Sequence, residues 1–489
     1  MKVLLIYPDI SSWSALNLGN MGFSGWYNFG LGYISTALKK ADINVSLYHI
    51  LSMPNERQFL NRIRLEDPDL IGLYLNSNNL YYLNFFLSWL KNGNIKTKLI
   101  CGGPHPSLNP EETIRLKGVD MLCVGEGDEA IVEVCQKIEQ GENTKKIKNI
   151  WVKEGEDIYR NEPRPLIKEL DSLGFPDKEI FNLRSLEFFK MGTGVFLASR
   201  GCPYSCNYCC NHALSQVYKG EAYVRFRGVD SVLSEVSATL SKYGDLKSVV
   251  FEDNILPLDK QWFYDFCVKY KKIINKPLEI NSSANFIDEE RVALMKECGC
   301  TNVRIGVESG NEQIRNEVLG KKISNAQIAK AFELLKKSGI KTTSYNMVGI
   351  PFEKPNNIFE TIEFNSSIKT DESIAQICHP YKKTKLYELC KTNKIIKSKV
   401  IPNINRENII DLTGINVKLL VLIKAFYPYL VKFHIAVSKL QPAVIRNIAI
   451  NFFKKIILSP ILATFFYYPL LLFLDLYRLR RSCFRMFYK

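Results

Sequence analysis

The sequence predicts an α/β protein made of two successive parallel β/α arrays and an apolar helical tail. The first array is a doubly wound parallel sheet and the second a partial β/α barrel. Three observations predict this. Apolar runs of strand length alternate with segments of helical period up to residue 139, and again from residue 192 to 366. Glycine and polar residues gather where the apolar runs end, which is the mouth of such folds. The chain has 489 residues and is 46% hydrophobic, enough for two or three cored domains.

In chain order, residues 2–8 form an apolar run ending at Pro8, a first parallel strand. Residues 31–40 have helical period. Strands follow at 43–50 and 69–75, and a helix at 80–90. Residues 98–103 read as a strand entering the Gly102-Gly103 turn. Residues 111–116 are helical, 120–125 a strand and 128–139 a helix. The first domain is expected to cover 1–145. Residues 146–190 carry mixed charge and Pro163, Pro165 and Pro176, and read as a surface connector with short strands around 150–152.

The period resumes at residue 192, giving a second domain over 191–395. Residues 194–198 form a buried strand that ends in Arg200-Gly201. Residues 249–254 end in Glu252-Asp253-Asn254. Residues 278–283 and 302–310 are strands, and helices lie at 288–298 and 325–338. Residues 341–348 run into Gly349-Ile350-Pro351-Phe352-Glu353, followed by a helix at 357–366. Polar groups thus cluster after each strand, at one mouth.

The tail, 396–489, differs in composition. The net charge is +15, but from Val417 onward there are twelve Lys/Arg and one acid, Asp475. Eleven of the fifteen charges belong to this apolar segment. A membrane surface suits it better than nucleic acid, and no nucleic-acid role is expected. Residues 417–440 interleave lysines with apolar side chains. Residues 456–474 are uncharged and interrupted by Pro460 and Pro469. Length permits a span. However, basic residues flank both ends and the prolines break the helix, so a peripheral, interfacial position is expected. Ordinary packing on the barrel is the alternative. Thirteen scattered cysteines, with no apolar leader after Met1, predict a reducing, cytoplasmic setting.

The most informative stretch is Cys202-Pro203-Tyr204-Ser205-Cys206-Asn207-Tyr208-Cys209. Three thiolates at C-x3-C-x2-C spacing can hold three irons of a cubane and leave the fourth open. A Cys3His zinc site completed by His212 is the alternative. Cys210 is expected to point elsewhere.

This spacing, with Tyr208 before the last cysteine, resembles the signature of the radical S-adenosylmethionine (radical SAM) superfamily. The later strand ends match it in order. The resemblance implies a 4Fe-4S cluster on Cys202, Cys206 and Cys209, with SAM chelating the open iron. It implies SAM contacts at Tyr208, Asp253, Glu308, Ser309 and Gly349. Glu252 and Asn254 flank Asp253, and Phe352 and Glu353 stand where glycine and glutamate are usual. The segment from His379 to Tyr387 resembles the one that closes such domains. It offers Tyr381 or His379 as a proton donor, or else a packed loop.

The first domain resembles the cobalamin (B12)-binding domain that precedes many radical SAM domains. Gly102-Gly103-Pro104-His105-Pro106 and Gly125-Glu126-Gly127-Asp128-Glu129 carry the match. Glycines at strand ends admit a ligand close to the backbone, so Gly102 and Gly103 are expected at a cobalamin tail. The D-x-H-x-x-G histidine motif is absent, and residues 9–30 contain no histidine. Any cobalamin would therefore lack that ligand, and a degenerate packing domain is the alternative. His105 is expected to hydrogen-bond within its loop.

The expected function is SAM cleavage by a 4Fe-4S cluster, hydrogen abstraction from an unactivated carbon, and methyl transfer from cobalamin. Cyclisation, oxidation or rearrangement without methyl transfer is one alternative. A non-catalytic metal-bearing membrane scaffold is another. Expected partners are a small-molecule or lipid-like substrate, a one-electron reductant protein and the membrane surface. No catalytic side chain is assigned.

Overall fold

Residues 1–10, 27–397, 409–412, 414–459, 461 and 465–467 are described by the computed structural model. The first sheet has seven strands: β1 (Lys2–Pro8), β2 (Asn44–Ile50), β3 (Leu70–Tyr74), β4 (Lys98–Gly102), β5 (Met121–Cys123), β6 (Ile150–Glu154) and β7 (Asp157–Tyr159). Their order is β2-β1-β3-β4-β5-β6-β7. The first five pair in parallel, and β5·β6 and β6·β7 are antiparallel. Short apolar runs buried on both faces drive this, with Val3, Leu4, Leu5 and Ile6 all in the core. Helices such as Phe29–Lys40 and Asp128–Glu139 cover one face, and Leu80–Asn92 lies on the other. The strands around 150–152 are therefore not isolated in a connector. They extend the first sheet past residue 145, because Trp151 and Val152 register on Leu122 and Met121.

Past the connector come β8 (Thr193–Phe196), then β9 (Ser199–Arg200) paired antiparallel with β10 (Arg225–Phe226). The strands β11 (Ser248–Phe251), β12 (Leu278–Ser282), β13 (Cys300–Glu308), β14 (Lys341–Val348) and β15 (Glu372–Ile377) complete a six-stranded parallel sheet in the order β15-β14-β13-β12-β11-β8. Sequential order with a helix after most strands is the signature of an open β/α barrel. Its core packs Val249, Phe251, Ile280, Val303 and Ile305 against Phe263, Phe266 and Phe332 of the covering helices.

The tail helix Val417–Val437, expected on lipid, is seated on the barrel by one face. Leu419, Leu420, Val421, Ile423 and Tyr427 join the core formed by β14, β15 and the helix Pro355–Ser367. Asn365 donates to the Tyr427 hydroxyl at 3.1 Å, and burial pulls Lys424 down to about 8. The reason is the stripe of apolar residues that the barrel's last edge needs covered. A second helix, Ala443–Ile457, follows. Most of residues 456–474, with Pro460 and Pro469, lies outside the described residues, as does most of the loop 9–30.

Candidate functional site

The cysteine loop leaves the barrel mouth after β9. Gly201 has φ +98°, and a Cβ there would meet the Tyr223 carbonyl at 2.3 Å, so the turn into Cys202 requires glycine. The loop is tied at several points. Asn254 donates to Gly201 O at 2.9 Å. Tyr204 Oη stands 3.1 Å from Ser283 Oγ. Asn207 donates its N–H to Leu319 O at 2.9 Å, and its own carbonyl accepts from Leu386 N at 2.8 Å. Cys206 is buried, while Cys202 and Cys209 are half-buried.

Burial raises the Cys202 and Cys206 thiols, and both also feel Cys209. Among the described residues, no three His, Cys, Asp or Glu side chains converge on one point as ligands of a single ion do. Three thiolates and no fourth protein ligand among the described residues suit three corners of a cubane. Cys210 does not point elsewhere. Its thiol lies close enough to Cys209 to pull that thiol down, at the start of the helix Cys210–Ser215.

Beside the loop, Glu308 ends β13 with φ +65°, a strained conformation for a non-glycine residue, at a shift of register between Gly306 and Glu308. Its carboxylate accepts from Tyr208 Oη at 3.1 Å and from Lys321 Nζ at 2.9 Å. Lys321 also donates to Gly306 O at 2.6 Å. Tyr208 and Glu308 are thus brought together. Lys321 was not foreseen, since a lysine in a Lys-Lys pair carries no signal until the fold closes on it.

Three other expected SAM contacts turn inward instead. Asp253 is 1% exposed. Its carboxylate accepts from Ala198 N at 2.9 and 3.1 Å and from the Ser199 hydroxyl, and burial pushes it up to about 6. It braces the strand that carries the cysteine loop. Ser309 is fully buried, its hydroxyl accepting from Asn311 N. The N–H of Gly349 is taken by Glu353 Oε2 at 2.6 Å. Each follows the end of a barrel strand, but the polar groups named here bond to neighbouring loops. Glu252 likewise pairs with Arg304 at 2.7 Å.

The first domain carries a cavity of about 270 Å³ at the carboxyl ends of its strands, where order reverses between β1 and β3. Gly72, Gly102, Gly103 and Gly125 line it together with Leu197 and Arg200 of the barrel. A Cβ on Gly102 would enter open space, so this glycine keeps room for a ligand. Gly103 has φ +110°, and a Cβ there would strike Leu75 O at 2.6 Å. The cavity is largely apolar, and its size suits the nucleotide tail of cobalamin rather than a whole corrinoid. His105 is buried away from it, and neither ring nitrogen has a partner among the described residues, so the expected loop hydrogen bond is not made. The two prolines that flank His105 remove nearby N–H donors.

Ion pairs join the two sites. Arg200 donates to both oxygens of Asp128 at 3.0 Å, reaches Glu126 at 3.2 Å and lies 4.8 Å from the centre of the Tyr33 ring. Arg225 holds Glu126 at 2.7 and 3.1 Å. Farther round, Tyr381 reaches Asn78 at 3.5 Å and Lys382 pairs with Glu112 at 2.6 Å. His379 is half-buried against Tyr381, and desolvation pushes it down to about 4. This segment is a strap between domains.

A doubly wound sheet with a cavity at its switch point, set against the mouth of an open parallel barrel bearing a three-cysteine loop, defines a two-cofactor β/α enzyme. Residues 196–364 match the family model of the radical SAM superfamily, and residues 23–135 match that of the B12 binding domain. The chain thus carries a radical SAM domain with a B12-binding domain ahead of it.

Among its relatives is an uncharacterized methyltransferase of Pyrococcus horikoshii, 27% identical over 81% of this chain and 84% of that protein. Another is the anaerobic magnesium-protoporphyrin IX monomethyl ester cyclase of Cereibacter sphaeroides, 21% identical over 79% of this chain and 63% of that one. Among solved structures, the cobalamin-dependent SAM radical enzyme OxsB, with aqua-cobalamin and SAM bound, superposes with a TM-score of 0.66. It covers 94% of this chain and 71% of that one at 16% identity.

Proposed function

We propose that this enzyme is a cobalamin-dependent radical SAM methyltransferase acting on a small molecule. One observation carries the reading. Arg200, two residues before Cys202, lines the glycine-rimmed cavity of the first domain and is gripped there by Asp128 and Glu126. The two cofactor sites are therefore neighbours on one rigid connection. The Pyrococcus relative named as a methyltransferase supports the same reading.

In this reading Cys202, Cys206 and Cys209 hold the 4Fe-4S cluster. Glu308, Lys321 and Tyr208 form the polar wall for SAM, with Lys321 suited to a carboxylate and Glu308 to hydroxyl or ammonium donors. Asp253, Ser309 and Gly349 shape that wall through the loops they brace. Gly102 and Gly103 border the cobalamin tail. The cluster and SAM supply the radical that takes hydrogen from carbon, and bound cobalamin supplies the methyl group. A one-electron reductant protein feeds the cluster. Twelve cysteines are free among the described residues, in keeping with a reducing cytoplasm, and in this reading the basic tail holds the enzyme at the inner membrane face.

The experiment is anaerobic reconstitution followed by measurement of iron, sulfide and retained cobalamin. About four irons per chain and stoichiometric cobalamin are expected. A chain that binds the cluster and cleaves SAM but retains no cobalamin would favour the cyclisation or oxidation chemistry instead.

A further inference from the structure

Val417–Val437 is, among the described residues, the helix long and apolar enough to cross a membrane. It cannot do so while Leu420, Val421 and Tyr427 sit in the barrel core. Its opposite face is different. Phe426, Tyr429 and Phe433 recur at i, i+3 and i+7, and together with Leu440 just past the helix end they are 37–51% exposed. The next helix, Ala443–Ile457, continues the surface. Val444, Ile445, Ile448, Phe452 and Ile456 share one side and are 41–68% exposed, while Phe453 on the other side is buried. Phe433 lies 4.5 Å from Phe453, so the two helices pack together through these rings. Eight large apolar side chains on two adjacent helices, with Leu440 between them, exceed what scattered surface residues supply.

Charge decides what covers them. From residue 417 to 474 the sequence has seven Lys/Arg and no Asp or Glu. Lys432, Lys439 and Lys455 are exposed beside the stripes. A second copy would bring these like charges together with no acid in either helix to offset them, and Glu363 beside them already faces His434 at 3.9 Å. An anionic bilayer receives apolar and aromatic side chains at headgroup depth and attracts the surrounding lysines.

We propose that the outward faces of Val417–Val437 and Ala443–Ile457 dock on the anionic lipid bilayer, with both helices parallel to its plane and neither crossing it. This rests on the membrane-face location proposed above and gives it a surface.

The test is sedimentation of the full-length reconstituted enzyme with vesicles of phosphatidylcholine containing about 30% phosphatidylglycerol. The comparison is the Ile448→Ser/Phe452→Ser double variant, whose positions are exposed and remote from the cysteines. The wild type should bind these vesicles about tenfold more tightly than pure phosphatidylcholine, and the double variant should lose about tenfold. Iron content and SAM cleavage, measured on the same samples, should be unchanged. Failure to bind vesicles by an enzyme that still cleaves SAM would overturn the docking and leave the catalytic reading standing. Sedimentation without vesicles, abolished by the double variant, would assign the face to self-association and also overturn it.

Discussion

Arg200 and Asp128 lie 72 residues apart in the chain, and both guanidinium nitrogens of Arg200 reach the Asp128 carboxylate at 3.0 Å. One residue introduces the cysteine loop, and the other opens the helix after the Gly125-Glu126-Gly127 turn. Side-chain exposure of 17% and 6% puts the pair where water screens little. Replacing Asp128 by Asn keeps the shape and removes the charge. The expected cost is about 2–3 kcal/mol in urea unfolding, the scale of a lost charged hydrogen-bond pair. Hydrogen exchange gives the specific readout. Cobalamin should protect the cysteine loop in the wild type and fail to do so in Asp128→Asn.

Gly102 faces open cavity, and a Cβ there meets no protein atom within 4 Å. Gly102→Leu should fold normally, bind the cluster and cleave SAM. It should weaken cobalamin binding by at least about tenfold, since it occupies ligand volume. Equilibrium dialysis with hydroxocobalamin checks this.

Lys321 bridges Gly306 O and Glu308 beside Tyr208. Lys321→Met keeps the aliphatic stem and removes the charge. SAM affinity should fall about tenfold or more, the scale of a lost charged contact to a carboxylate. Iron content should not change. Isothermal titration with SAM on the clustered enzyme reads the difference.

Glu353 is buried, and burial pushes its carboxyl up to about 8, although Gly349 and Ile350 donate their N–H groups to it. In the unfolded chain it titrates near the ordinary glutamate value of about 4.3. Between these values the folded state holds a proton that the unfolded state has lost. The group therefore makes stability fall as pH rises through that window, by about 1.4 kcal/mol per pH unit. Glu353→Gln should remove this slope. Urea midpoints from pH 5 to 8 should decline in the wild type more steeply than in the variant.

Much of the fold was legible because buried parallel strands write themselves as short apolar runs, as residues 2–8 and 302–310 do. The helix Glu56–Glu66 escaped notice. Only Phe59, Leu60 and Ile63 are buried in an otherwise charged stretch, so its apolar stripe is thin. The strand Ile150–Glu154 was seen but placed in the connector, since which sheet a short strand joins depends on register with distant β5. At the site, the cysteine spacing carried its chemistry by itself. The inward turn of Asp253 and Ser309 did not show, because a strand-end carboxylate or hydroxyl reads the same whether it faces a ligand or a neighbouring N–H. Arg200, Glu126 and Asp128 were in view as parts of motifs. Their pairing across domains is long-range and has no local signal.

The central claim is that cluster-bound SAM and cobalamin work at adjoining sites. It is tested most directly by giving the anaerobically reconstituted, reduced enzyme SAM with an isotopically labelled methyl group. The account predicts 5′-deoxyadenosine and S-adenosylhomocysteine together, with the label on the bound cobalamin. In Cys206→Ala the 5′-deoxyadenosine should be lost, while Cys210→Ala should still form it. Release of 5′-deoxyadenosine with no label on cobalamin, or undiminished 5′-deoxyadenosine from Cys206→Ala, would contradict it.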